Sequence, residues 1–116
     1  MMIDKLYKIA EGLNNKFPDG SEPFLIVSRL AEECGEVAAE VNHFEGKGVK
    51  VERLGAPDRK KFAKELQDVM RAVLQLALYY DLQAELEASV EEYYGRVVDE
   101  GLVEPLDAEP AGPGSA

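Results

Sequence analysis

DRKKFAKELQDVMRAVLQLALYY (residues 58–80) sets the architecture of this chain. Phe62, Leu66, Val69, Val73, Leu76 and Tyr80 recur three or four apart, the spacing of one face of an α-helix. Asp58 follows Pro57 and is a fitting N-cap, because its carboxylate can accept the unpaired N–H groups of a first turn. The polar run at 81–83 predicts a kink or break. A further helix then carries Leu86, Val90, Tyr93, Tyr94 and Val97 inward and ends near Gly101.

The same period appears upstream. Leu6, Ile9, Leu13 and Phe17 mark a first helix over about 3–17, ended by Pro18-Asp19-Gly20. Ser21 is expected to cap a second helix, with Glu22 and Pro23 in its first turn. Its predicted core stripe is Val27, Leu30, Cys34, Val37 and Val41, and Gly46 and Gly48 stop it. Residues 46–57 read as a polar loop. No segment shows the period of two that a half-buried strand requires. The chain is expected to be all-α, a bundle of four to five helices in one domain over 1–103. The Pro/Gly-rich residues 104–116 read as a disordered tail.

At 116 residues and 46% hydrophobic, the chain is sized for one domain with an ordinary core. So short a chain buries only about two-thirds of its unfolded surface, which favours a homodimer or homotetramer. Tyr79, Tyr80, Tyr93 and Tyr94 exceed what one small core needs. A net charge of −10 argues against general nucleic-acid binding, which needs a basic footprint. Cys34 is the single cysteine and precludes an intrachain disulfide; with Leu30 and Val37 one turn away it reads as a core residue. The N-terminus has no apolar core of a signal peptide, and the apolar run at 72–80 is too short to span a bilayer. The expectation is a cytoplasmic protein with no membrane partner.

The chemistry-bearing residues are acidic. Glu32, Glu33 and Glu36 lie on the second helix, Glu65 and Asp68 on the third. Positions three apart on a helix project together, with Cβ atoms roughly 5–6 Å apart. Glu33 with Glu36 and Glu65 with Asp68 are such pairs, each beside a predicted core stripe. The connection between their helices is short, so the pairs can converge across an antiparallel seam. Four acids there would repel and be costly to desolvate unless a hard divalent cation compensated them. Mg²⁺ suits an all-oxygen donor set, with Mn²⁺ as a substitute. Glu85, Glu87, Glu91, Glu92 and Glu100 lack a matching partner pair and read as surface.

A local charge reversal adjoins these acids: Lys47, Lys50, Arg53, Arg59, Lys60, Lys61 and Lys64 against Glu52 and Asp58. Lys61 and Lys64 are placed to meet a substrate's phosphates, and Arg71 either pairs with the acids or meets phosphate. Asn14, Asn15 and Asn42 could hydrogen-bond a base, although turn polar groups are the commoner role for such residues. Glu40-Val-Asn-His43 has the Glu-x-x-His spacing of carboxylate-bridged iron bundles, but Glu65-x-x-Asp68 has no matching histidine.

Glu32-Glu33-Cys34-Gly35-Glu36 followed by Glu65-Leu66-Gln67-Asp68 resembles the paired E-E-x-x-E and E-x-x-D motifs of the all-α NTP pyrophosphohydrolase superfamily. Its members include MazG-like proteins, dimeric dUTPases and phosphoribosyl-ATP pyrophosphohydrolases. Many MazG-like sequences have Gly where this chain has Gln67. The resemblance implies that Glu33, Glu36, Glu65 and Asp68 bind Mg²⁺ and that Glu32 orients or deprotonates water beside them, which makes Glu32 and Glu36 the candidate catalytic pair. It further implies cleavage of a nucleoside triphosphate between its α- and β-phosphates. A phosphoribosyl-ATP hydrolase and a non-catalytic, metal-binding helical module are the rival readings. No G-x-x-x-x-G-K-[ST] phosphate loop is present.

Overall fold

The computed structural model of the chain describes residues 1–46 and 55–107. Among these residues all regular structure is helical: α1 Met2–Lys16, a 3₁₀ turn Pro18–Gly20, α2 Pro23–Phe44, α3 Arg59–Tyr79 and α4 Gln83–Asp99. Two compact units divide at 82/83, one carrying α1 to α3 and the other α4 with the residues after it.

Local chemistry explains the helix boundaries. Asp58 caps α3, its Oδ1 accepting from the backbone N–H of Lys60 at 2.9 Å and of Lys61 at 3.4 Å. The cap of α2 is Glu22 rather than the expected Ser21. The Glu22 side chain accepts from the N–H of Leu25, and Pro23 opens the helix, where a missing N–H costs nothing. Ser21 instead donates its hydroxyl to the carbonyl oxygens of Asn14 and Phe17, tying the 3₁₀ turn to the end of α1. The break expected at 81–83 is present. Asp81 adopts φ 55°, and the N–H groups of Asp81 and Leu82 return to the carbonyls of Leu78 and Ala77, closing the last turn of α3.

Within the first unit α3 is central, with both α1 and α2 packed on it. Leu6 and Ala10 of α1, Ile26 of α2, and Ala72, Leu74 and Ala77 of α3 form the buried apolar core. Among the described residues four polar side chains are buried as well: Glu40, His43, Asp68 and Gln75.

This corrects the predicted stripes. On α2 the inward line is Ile26, Glu33, Glu40 and His43, while Val27, Cys34 and Val41 are exposed and Leu30 and Val37 half-buried. On α3, Leu66, Val73 and Tyr80 are exposed, and Phe62, Val69 and Leu76 are half-buried. On α1, Ile9 and Phe17 are exposed. Hydropathy penalises a line that carries two glutamates. The fold buries it anyway because α3 supplies cations opposite, Lys61 Nζ lying 3.7 Å from Glu40 Oε1.

His43 is buried in the last turn of α2. Its Nε2 lies 2.6 Å from the carbonyl oxygen of Gly55, so the ring donates there and joins the end of α2 to the segment leading into α3. Phe44 and Phe62 pack alongside with centroids 5.1 Å apart.

In the second unit α4 has no fully buried residue; Val90 and Tyr93 are exposed and Leu86, Tyr94 and Val97 half-buried. Gly101 at φ 73° ends it with the same return bonds, from Gly101 to Val98 and from Leu102 to Val97. The phenol oxygen of Tyr94 accepts from the N–H of Leu106 at 2.7 Å, which ties the start of the expected tail to the helix. Residues 108–116 lie outside the described residues. No described helix is long and apolar enough to cross a membrane.

Candidate metal centre

α2 and α3 bring Glu33, Glu65 and Asp68 together, each offering a carboxylate oxygen, with these atoms all within 4.8 Å of one another. Glu65 and Asp68 are one turn apart on α3, and Glu33 meets them from the inward line of α2. The pairing follows an antiparallel register, in which Lys61 faces Glu40 and Asp68 faces Glu33, seven residues along each helix.

The local electrostatics are those of crowded acids. Burial pushes the Glu33 carboxyl above its ordinary value, Asp68 and Glu65 push it further, and a hydrogen bond with Glu65 adds to the rise. Arg71 pulls the other way. Asp68, itself buried, holds a cation on each oxygen: Lys64 Nζ at 2.6 Å from Oδ2 and Arg71 Nη2 at 3.7 Å from Oδ1. The bond to Asp68 raises the Lys64 ammonium above its usual value. Three acids this close need positive charge, and in the protein alone lysine and arginine provide it. Hard divalent cations take oxygen ligands, carboxylates among them, so these three residues could hold one.

The remaining sequence candidates are distributed as follows. Glu36 is exposed one turn beyond Glu33 and is not among the three grouped acids, and Glu32 is exposed on the same helix. Lys61 is engaged by Glu40. Lys64 and Arg71 both lie on Asp68. Lys47, Lys50 and Arg53 lie outside the described residues. Asn14 points its amide oxygen at buried Gln75 and not outward to a base. No histidine is in the acidic group among the described residues, which leaves the iron-bundle spacing of Glu40 and His43 without a partner set.

Sequence reasoning weighed Glu40 only for the Glu-x-x-His spacing, not as the partner of Lys61, and missed Gln75. Their spacing is only a partial hint: Glu40 stands seven residues after Glu33, and Gln75 seven after Asp68, but spacing along one helix does not say what faces either residue.

Carboxylates from two adjoining antiparallel helices, with a lysine and an arginine on one of them, make this an all-helical protein with an acidic cluster that could hold a metal ion. The model of the MazG nucleotide pyrophosphohydrolase domain matches residues 22–98, and the chain belongs to that family. The match spans α2, α3 and nearly all of α4, and holds despite Gln67. The family is typically dependent on a divalent metal. No curated protein and no solved structure matches the chain.

Proposed function

We propose that this protein is a Mg²⁺-dependent nucleoside triphosphate pyrophosphohydrolase that cleaves the α–β phosphoanhydride to give a nucleoside monophosphate and pyrophosphate. The convergence of Glu33, Glu65 and Asp68 carries this reading. These three, with Glu36 one turn along α2, would hold the cation. Bound there, it would offset phosphate charge and make a coordinated water more acidic. Glu32, exposed beside them, accepts the proton of the water whose oxygen attacks the α-phosphorus, and the α–β bridging oxygen leaves with pyrophosphate. Lys64, and Lys61 less directly, meet the outer phosphates. Little covalent work falls to the protein, because phosphoryl transfer depends on positioning and charge.

The working form in this reading is at least a homodimer. Val27, Cys34 and Val41 of α2 and Leu66, Met70 and Val73 of α3 are exposed apolar residues. A groove of about 340 Å³ lined by Cys34, Val37, Leu66, Val69 and Met70 joins the two rows into one face. Among the described residues the buried apolar core holds six side chains, a small core for a single copy. A second copy laying the same face across the groove would complete a four-helix core.

The test is a panel of standard and modified nucleoside triphosphates with Mg²⁺ or Mn²⁺, following pyrophosphate release across pH. At least one substrate should give monophosphate and pyrophosphate. Activity should fall on the acid side above the ordinary glutamate range, since Glu33 must lose its proton to bind a cation and its value is raised. Release of orthophosphate, or no turnover across the panel, would overturn the assignment.

A further inference from the structure

The two cations on Asp68 differ in what else restrains them. Lys64 is 67% exposed, and among the described residues its bond to Asp68 is what holds it. Arg71 is 13% exposed and is held from behind, its Nη1 donating to Gln75 Oε1 at 3.2 Å. Gln75 is fully buried, and its Nε2 donates to Asn14 Oδ1 on α1 at 2.8 Å. The direction of this chain follows from chemistry. A guanidinium can only donate, so Gln75 must turn its oxygen to Arg71 and its NH₂ to Asn14, and Asn14 must present its oxygen in return.

We propose that Asn14 and Gln75 are positioning residues that clamp Arg71 on Oδ1 of Asp68, so that Lys64 alone leaves this carboxylate when a divalent cation and a nucleotide's phosphates arrive. The inference rests on reading Glu33, Glu65 and Asp68 as the cation site. Groups that orient a metal ligand set its affinity because an oriented carboxylate need not be reordered on binding. Arg71 with its brace keeps Asp68 oriented and screens the acids, while Oδ2 and the Lys64 ammonium are released together for cation and phosphate. Asn14 precedes the span matched by the family model, so α1 contributes this support from outside that span.

The experiment is Mn²⁺ titration calorimetry on the full chain, in the wild type and in Asn14→Ala, Asn14→Asp and Asp68→Asn, with thermal melts of each. Asn14→Ala removes the acceptor and suits a helix; Asn14→Asp leaves an oxygen for Gln75. Asn14→Ala should weaken Mn²⁺ binding about tenfold, as loss of a group supporting a metal ligand does, while Asn14→Asp stays close to wild type. Wild-type affinity in Asn14→Ala, or equal weakening in both variants, would overturn the clamp. No saturable Mn²⁺ heat in the wild type, or the same heat in Asp68→Asn, would instead remove the cation site and the clamp with it.

Discussion

Asp68→Asn should lower pyrophosphate release by on the order of 10³-fold or more, because a neutral amide neither binds a hard cation well nor contributes its charge to the site. The fold should survive. Asp68 is buried between Lys64 and Arg71, so the substitution removes two ion pairs, but one of them is to a largely exposed lysine that returns to water at little cost. Arg71 keeps its bond to Gln75, and Glu33 and Glu65 lose a repulsive neighbour. The helical circular-dichroism signal should therefore persist while turnover is lost. Turnover within tenfold of wild type, in a folded variant, would exclude Asp68 from the chemistry.

Leu66→Glu should convert the proposed dimer to a monomer. Leu66 is 46% exposed in the single chain and lies in the apolar groove beside Cys34 and Met70. On one copy alone the change is a surface substitution of little consequence, within about 0.5 kcal/mol. In a two-fold interface it enters twice and sets two carboxylates in an apolar seam. With a few kcal/mol for each desolvated group, dimerisation should weaken by on the order of 10³-fold. Light scattering at micromolar concentration reads the result, and thiol titration adds a second reading, since Cys34 should react faster in the variant. A wild type that is already monomeric would remove the proposed interface, as would a Leu66→Glu protein that stays dimeric.

How far the chain could be read from its residues depended on how local the signals were. Asp58 as a cap, the turn at Pro18-Asp19-Gly20, the break after Tyr80 and the stop at Gly101 all act within a few residues, and the structure places helix ends there. The facing of α2 depends on partners far away in sequence. Glu40 lies inward where Lys61 of α3 meets it, and Glu33 where it meets Glu65 and Asp68 with Arg71 acting on the group, and no periodicity of α2 alone carries that information. The same limit made Cys34 and Val27 look like core, when they lie on the outer flank of a helix whose apolar residues cover a wide arc.

The acids were legible for a related reason. Glu65-x-x-Asp68 and Glu33-x-x-Glu36 are spacings within single helices, and their convergence needed only a short antiparallel connection. Glu33, Glu65 and Asp68 do converge, whereas Glu36 lies one turn outside the group. The support behind them was not legible. Gln75 reads as an unremarkable polar residue until α1 is seen to bring Asn14 against it.

Diffraction from crystals soaked in Mn²⁺, collected to locate anomalous scattering, tests the account at its centre. The expected result is a peak bounded by carboxylate oxygens of Glu33, Glu65 and Asp68, with Lys64 displaced from Asp68 and Arg71 still beside it. A peak at some other part of the chain, with this trio unchanged, would contradict the assignment.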